Sequence, residues 1–477
     1  MTGTEQPSSG ERDIRVLQNK TFDEIAIGDT AFIERTLTSE DIRVLALLTG
    51  YAGSEESESD AGATAHLQGM IAHGMWGGAL VSAVLGTRLP GPGTSYLAQT
   101  LRFLAPIRAG DTLTIHVEAV ERDPATRKVR FKCRCTNRGG QTVIEGFADV
   151  IAPDRKISWS NSALPEVRIT VQGAGATRLL DQARSLDAVK VAVVHPCDEI
   201  SLSSALEAGK VGLIDPVLVA PRSRLEAIAK SAGLDLTGIA IEDAPHSHGA
   251  AELAVKLAAS GKVEALMKGS LHTDELMGAV VAASGGLRTK RRVTHCFVMQ
   301  TPAYPRPFII TDAAVNIAPT LGDKVDIVQN AIDLAHVMGV KQPRVAILAA
   351  VETVTASMPA TLDAAALCKM ADRGQISGGL LDGPLAFDNA VSVAAARIKG
   401  INSPVAGRAD ILVVPDLESG NMLAKQLEYL GNADTAGIAL GARVPIVLTS
   451  RADARDTRLA SCAIAVILAH HYRTSPP

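Results

Sequence analysis

Two short runs near the end of the chain join a strand-like apolar segment to residues suited to holding an anion. The first, Ile411 to Val414, stops in Pro415-Asp416-Leu417-Glu418-Ser419-Gly420-Asn421. The second, Ile446 to Leu448, stops in Thr449-Ser450-Arg451-Ala452-Asp453. In open α/β sheets ligands gather beyond the carboxyl ends of strands. At such a place Gly420 permits a close backbone approach, Ser450 offers a hydroxyl, and Arg451 offers a forked guanidinium suited to bidentate recognition of phosphate. The Ser-Arg pair taken alone also fits an ordinary turn after a strand. What the rest of the chain builds around it decides between the two.

The elements that would position these residues alternate. Lys190–Val194 is strand-like, Ser201–Gly209 helix-like, Val217–Val219 strand-like and Ser223–Ala232 helix-like, and the rhythm continues through Ala250–Ala259, Ala265–Met267 and Glu275–Ala283. Alternation of this length predicts a parallel sheet with right-handed crossovers. Further on, Phe308–Thr311 runs into Asp312-Ala313-Ala314-Val315-Asn316, Arg344–Leu348 is another strand, and Leu380-Leu381 runs into Asp382-Gly383-Pro384. No strand-to-helix turn carries a Gly-x-Gly-x-x-Gly or Walker pattern, so a nucleotide fingerprint is missing.

The first third of the chain reads differently. A tail over residues 1–19 precedes a domain over 20–152, a linker over 153–167 rich in Pro and Ser, and the alternating region over 168–477. In the first domain Thr38-Ser39-Glu40-Asp41 predicts a helix start, and Ala79–Leu85 a second, apolar helix. Strands are expected at Tyr96–Leu104, Thr112–Glu121, Lys128–Asn137 and Val143–Ile151, an α+β pattern.

Composition narrows the function classes. Of 477 residues, 47% are apolar and only 3% aromatic, which suits α/β layers with small-residue helix packing and excludes a disordered chain. A net charge of −4 points away from nucleic acid. No apolar run is long enough for a membrane span. Six scattered cysteines without a Cys-x-x-Cys pair suit a reduced, cytoplasmic setting, with Cys133 and Cys135 as core. His246-x-His248 and His470-His471 lack ligand partners at metal spacing, so no metal is expected.

Residues 20–152 resemble the R-specific enoyl-CoA hydratases of MaoC-like hot-dog fold. The resemblance is carried by Phe22-Asp23-Glu24-Ile25, Gly28-Asp29, Ile71-Ala72-His73-Gly74-Met75, Leu101-Arg102-Phe103, Pro106-Ile107 and Gly110-Asp111-Thr112. Counting back from His73-Gly74, the family's catalytic Asp falls on Tyr51 and its His on Glu56. Both acid/base groups are therefore absent, although hydration of an enoyl thioester needs one group to activate water and another to deliver a proton. The resemblance implies a degenerate pocket formed by Tyr51, Glu56, His73 and Gly74. It leaves open whether the domain hydrates short-chain enoyl-CoA, binds acyl-CoA, or serves as an oligomerisation scaffold.

Residues 188–473 resemble the phosphate acetyl/butyryltransferases, the butyryl branch more closely. The motifs are Leu266-Met267-Lys268-Gly269, Thr311-Asp312-Ala313-Ala314-Val315-Asn316-Ile317-Ala318-Pro319, Met358-Pro359-Ala360-Thr361, Asp382-Gly383-Pro384-Leu385, Gly420-Asn421-Met422 and Ser450-Arg451-Ala452-Asp453. The whole chain after residue 20 resembles fusions of the two families. This implies a two-lobed, parallel-sheet α/β domain like that of isopropylmalate dehydrogenase, with an inserted lobe at about 306–439 and the active site between the halves. The implied reaction exchanges CoA and inorganic phosphate on a short acyl group through a ternary complex, without a tightly bound cofactor, in a homo-oligomer. Ser450, Arg451 and Asn421 would serve the phosphate and the developing oxyanion. Asp453 or Asp456 would be the base, since strict alignment of the acetyl branch's carboxylate falls on Thr457. Lys268, Arg288 and Lys425 would be anion contacts, with Thr311, Asp312, Asn316, Asp382 and Gly420 completing the substrate site. Asp312 and Asn316 also fit a capped strand-end turn. A second arginine of the acetyl branch falls on Tyr429.

Overall fold

The structure, a computed structural model, describes residues 15–50, 75–161, 173–450 and 453–477. The chain divides into two compact units, Met1–Thr170 and Val171–Pro477.

The first unit contains β1 (Arg15–Gln18), β2 (Thr30–Thr36), β3 (Ser95–Phe103), β4 (Thr112–Asp123), β5 (Lys128–Asn137), β6 (Thr142–Ile151) and β7 (Ser158–Asn161). Five of these make an antiparallel sheet in the order β2-β4-β5-β6-β3. Strict alternation places Leu113, Ile115, Val117 and Ala119 of β4, and Val129, Phe131, Cys133 and Cys135 of β5, on the buried face. Fully burying a side chain the size of Phe131 contributes about 2–3 kcal/mol. The helix Ser39–Thr49 starts as its sequence predicts: Thr38 accepts from the Asp41 N–H, and the Asp41 carboxylate accepts from the Thr38 N–H at 2.9 Å. The helix Met75–Thr87 lies against the sheet, and Gly77 allows it. A Cβ there would fall 2.2 Å from Ile144 Cδ1 of β6.

Two expectations need correction. Arg15–Gln18, expected within a tail over 1–19, form a strand, because β1 pairs antiparallel with β7. That same pairing turns 158–161 of the expected linker into a strand. Tyr51, Glu56, His73 and Gly74 lie outside the described residues.

The second unit contains β8 (Val189–Val194), β9 (Ile214–Ala220), β10 (Ala240–Asp243), β11 (Ala265–Lys268), β12 (Thr294–Gln300), β13 (Phe308–Thr311), β14 (Arg344–Leu348), β15 (Leu380–Leu385), β16 (Ile411–Val413), β17 (Asp434–Leu440) and β18 (Ile446–Val447). All belong to one eleven-stranded sheet in the order β10-β9-β8-β11-β18-β17-β12-β13-β16-β14-β15. Strands such as β8 read as continuous apolar runs because helices cover both faces. The expected parallel sheet is in fact mixed. β17 is antiparallel to β18 and to β12, and β12 is antiparallel to β13. Three reversals therefore separate β18 from β16, and the strands β8 to β11 run opposite to β13 to β16. The terminal helix Arg455–Thr474 is buried over Leu459–Ala469 without a break, so it is an interior element, apolar over that stretch except for Ser461.

Candidate active site

The reversal across the sheet decides how the two chemical stretches meet. Asp416 leaves the carboxyl end of β16 and Ser450 follows β18, and these strands run in opposite directions. The helix Leu417–Tyr429 closes the gap by turning back over the sheet. Its start is fixed by Asp416, whose carboxylate accepts the Ser419 N–H at 2.8 Å. Its first turn sits tightly on the loop after β13, since a Cβ on Gly420 would fall 2.7 Å from the Asp312 carbonyl oxygen. Asn421 anchors it there by donating Nδ2 to the Ala313 carbonyl at 3.2 Å. One turn further on, Lys425 shares the face of Asn421. Nine residues from Asp416 carry it about 14 Å along the helix, where Nζ lies 3.5 Å from Asp453 Oδ1.

Asp453 is the centre of this arrangement. It is 9% exposed and accepts the backbone N–H of Ser450 at 2.7 Å, while its own N–H returns to the Ser450 carbonyl at 3.2 Å. Lys425 also pairs with Glu428 at 2.7 Å. Burial pulls the Lys425 ammonium down, but the Glu428 and Asp453 carboxylates outweigh it and hold it above the ordinary lysine value. Beside Ser450 lies Lys268, because β11 and β18 are parallel neighbours and both residues follow the same sheet edge. They line one cleft with Thr449, Gly269, Ser201 and Arg458.

Other expected residues stand behind the site. Thr311 is fully buried and donates to the His295 carbonyl at 2.9 Å, so it joins β12 to β13 and does not face substrate. Both oxygens of Asp312 are taken by the backbone N–H groups of Ala314, Val315 and Asn316 and by Asn316 Nδ2 at 2.6 Å. Asn316 Nδ2 also donates to the Val293 carbonyl at 2.9 Å. The strand-end turn anticipated as the alternative for this pair is the arrangement found. Asp456 stands apart from the others: its side chain is 61% exposed on the first turn of the terminal helix and pairs with Arg455 at 3.5 Å. Asp382 sits on the edge strand β15, accepting its neighbour Gly383's N–H at 2.9 Å, four places in the sheet from β12. Arg288 is exposed, its backbone bridging Ala442. Arg451 lies outside the described residues.

The thiols are inert by environment. Burial pushes Cys296, Cys368 and Cys462 up to about 12, which removes any thiolate at neutral pH. His246 caps the helix Ser247–Ala259 by accepting the Gly249 N–H at 3.0 Å, and His248 faces Glu275 at 3.3 Å. Among the described residues no three His, Cys, Asp or Glu side chains gather as a metal site.

Two residues of the site escape the sequence. His295 is 1% exposed near the start of β12, its ring edge-on to Phe297 at 4.5 Å and its Nδ1 without a partner. It reads as one more residue of a strand, and no spacing marks it. Burial drives its value down to about 4, aided by Lys425 and opposed by Asp312 and Asp453. Its folded value lies below the unfolded one, so the unfolded chain binds the extra proton. Its contribution to stability is then complete above about pH 6.5 and lost as pH falls toward 4. The shift corresponds to on the order of 3 kcal/mol. The His295→Gln variant is expected to melt with a flatter acid limb over that window than the unchanged chain. Superimposable limbs in calorimetry would dismiss a buried neutral imidazole. The other residue is Arg458. Its signal was a cation in the first turn of a helix, where the macrodipole disfavours one.

The family described as phosphate acetyl/butaryl transferase matches residues 247–466, and the family described as MaoC like domain matches residues 29–137. A phosphate acetyltransferase of Rhizobium meliloti is 61% identical over 298 residues, covering 62% of this chain and 94% of that protein. The chain belongs to the phosphate acetyl/butyryltransferase family. A phosphate butyryltransferase of Clostridium acetobutylicum is 40% identical over 291 residues, 61% of this chain and 97% of that protein. Among solved structures, a branched-chain phosphotransacylase from Enterococcus faecalis V583 superposes with a TM-score of 0.53 at 29% identity, covering 59% of this chain and 99% of that one. This phosphate acyltransferase-family chain thus differs from the first two relatives in carrying a MaoC-like unit in front. No helix among its described residues is long and apolar enough to cross a membrane.

Proposed function

We propose that this chain exchanges coenzyme A and inorganic phosphate on a short acyl group, acetyl or butyryl, at the site around Asp453. The observation that carries the proposal is the buried Asp453 carboxylate, fixed by the Ser450 N–H at 2.7 Å and by Lys425 at 3.5 Å. Written from acyl phosphate, Asp453 takes the proton of the CoA thiol and the thiolate attacks the acyl carbonyl. The C–S bond forms, the negative charge passes to the carbonyl oxygen, and collapse breaks the C–O bond to release phosphate. Lys268, Lys425, Arg451 and the Ser450 hydroxyl stabilise the anions on both sides of that intermediate. A fixed ternary complex supplies the remaining advantage through orientation. Asp453 reverses its role when acyl-CoA and phosphate are the starting pair.

The test is a panel of acyl-CoA thioesters assayed for CoA release with and without phosphate. Acetyl-CoA or butyryl-CoA is expected to give phosphate-dependent release, and release that ignores phosphate would defeat the proposal. Crotonyl-CoA in the same panel addresses the front unit. With Tyr51 and Glu56 where the hydratase dyad belongs, no 3-hydroxybutyryl-CoA is expected; its appearance would establish a second activity.

A further inference from the structure

Tyr429 occupies the place where a second arginine is expected, and it ends its helix 63% exposed with no charge to give. The structure holds another guanidinium beside Asp453, on a different element. Arg458, in the first turn of the terminal helix, lines the cleft with Lys268, Thr449 and Ser450. One of its nitrogens, Nη1, donates to the Asp453 carbonyl, which pins the group beside the site. Its Nε is buried without an acceptor, and no carboxylate pairs with it among the described residues. A buried cationic donor without a partner is costly, and this one also stands at the positive end of a helix. The first turn of a second helix, Glu199–Lys210, reaches the same cleft through Ile200 and Ser201. Two helix starts and two cations thus converge on a cleft whose described lining includes no Asp or Glu. Such a surface is complementary to a phosphate-class anion.

Resting on the function proposed above, we propose that Arg458 is the second guanidinium of the substrate site and binds a phosphate group in the cleft it lines. Inorganic phosphate and the phosphates of coenzyme A share this chemistry. The experiment uses the full-length chain and its Arg458→Gln and Arg458→Lys variants. Steady-state kinetics would give KM for phosphate and, in reverse, KM for CoA, while calorimetry would follow direct binding of phosphate and of CoA to each protein. Loss of a charge-assisted pair predicts a KM and Kd about ten- to a hundredfold higher for one of the two ligands in Arg458→Gln. The change falls on phosphate if the inorganic anion occupies the cleft, and on CoA if its phosphates do. Arg458→Lys, which keeps the charge but not the fork, is expected to recover only part of the loss. A fall confined to kcat, with both Kd values unchanged, would show that Arg458 merely holds the Asp453 carbonyl and would overturn the assignment. If the unchanged chain released no CoA with phosphate, the function above would fall, while calorimetry would still decide Arg458: equal binding by all three proteins refutes it.

Discussion

Asp453→Asn is expected to lower kcat for acyl-phosphate-driven consumption of CoA by about a hundred- to a thousandfold, the usual yield of one positioned acid or base. Asparagine keeps an oxygen for the Ser450 N–H, which the carboxylate accepts at 2.7 Å, so the loop retains its shape. What disappears is the charge that faces Lys425 at 3.5 Å and the capacity to take a proton. The melting temperature should therefore move little while kcat collapses. Asp456→Asn is the internal contrast. That side chain is 61% exposed and engages Arg455, so its loss should leave kcat within about twofold, as for most exposed pairs. The opposite ranking of the two variants would transfer the base to Asp456 and undo the site built around Asp453.

Arg451→Ala should be comparably severe. The residue directly follows Ser450, and two residues on the chain returns to Asp453, whose N–H meets the Ser450 carbonyl at 3.2 Å. The function proposed above assigns to the Arg451 guanidinium the charge that grows as phosphate attacks or leaves, and removing one such donor costs about a hundred- to a thousandfold in kcat. Arg451→Lys keeps a point charge without the planar fork and should fall between. Addition of guanidinium ion to the alanine variant offers a further check, since partial recovery separates a missing cation from a misfolded loop. Near-normal turnover by a folded Arg451→Ala protein would remove that residue from the chemistry.

The layers of this protein are legible in its sequence because they depend on local pattern. Alternation at Thr112–Glu121 and Lys128–Asn137 marks half-buried strands, and the structure has them at Thr112–Asp123 and Lys128–Asn137. Thr38 to Asp41 specify a helix start through reciprocal bonds three residues apart, which no distant contact has to supply. The two candidate anion-binding stretches are likewise visible as strand ends that stop in small polar residues. Nothing local tells the direction of a strand relative to one far away in the chain. The antiparallel β12 and β17 therefore broke the expectation of a parallel sheet.

That one long-range fact decides which candidate residues are buried and which stay in water. Asp453 and Asp456 are the same residue type three positions apart, and the sequence left both open. Packing under Lys425 buries the first, and the exposed start of the terminal helix leaves the second in water. Thr311, Asp312 and Asn316 carry a strong motif, yet their polar atoms are consumed in shaping the loop on which Gly420 rests. His295 and Arg458 have no motif and become significant only through what surrounds them. Residue order by itself determined the elements, the strand ends and the family likeness, since these follow from short-range periodicity and side-chain type. Burial and charge partners depend on segments from separate elements being folded against each other, and only the tertiary structure decides them.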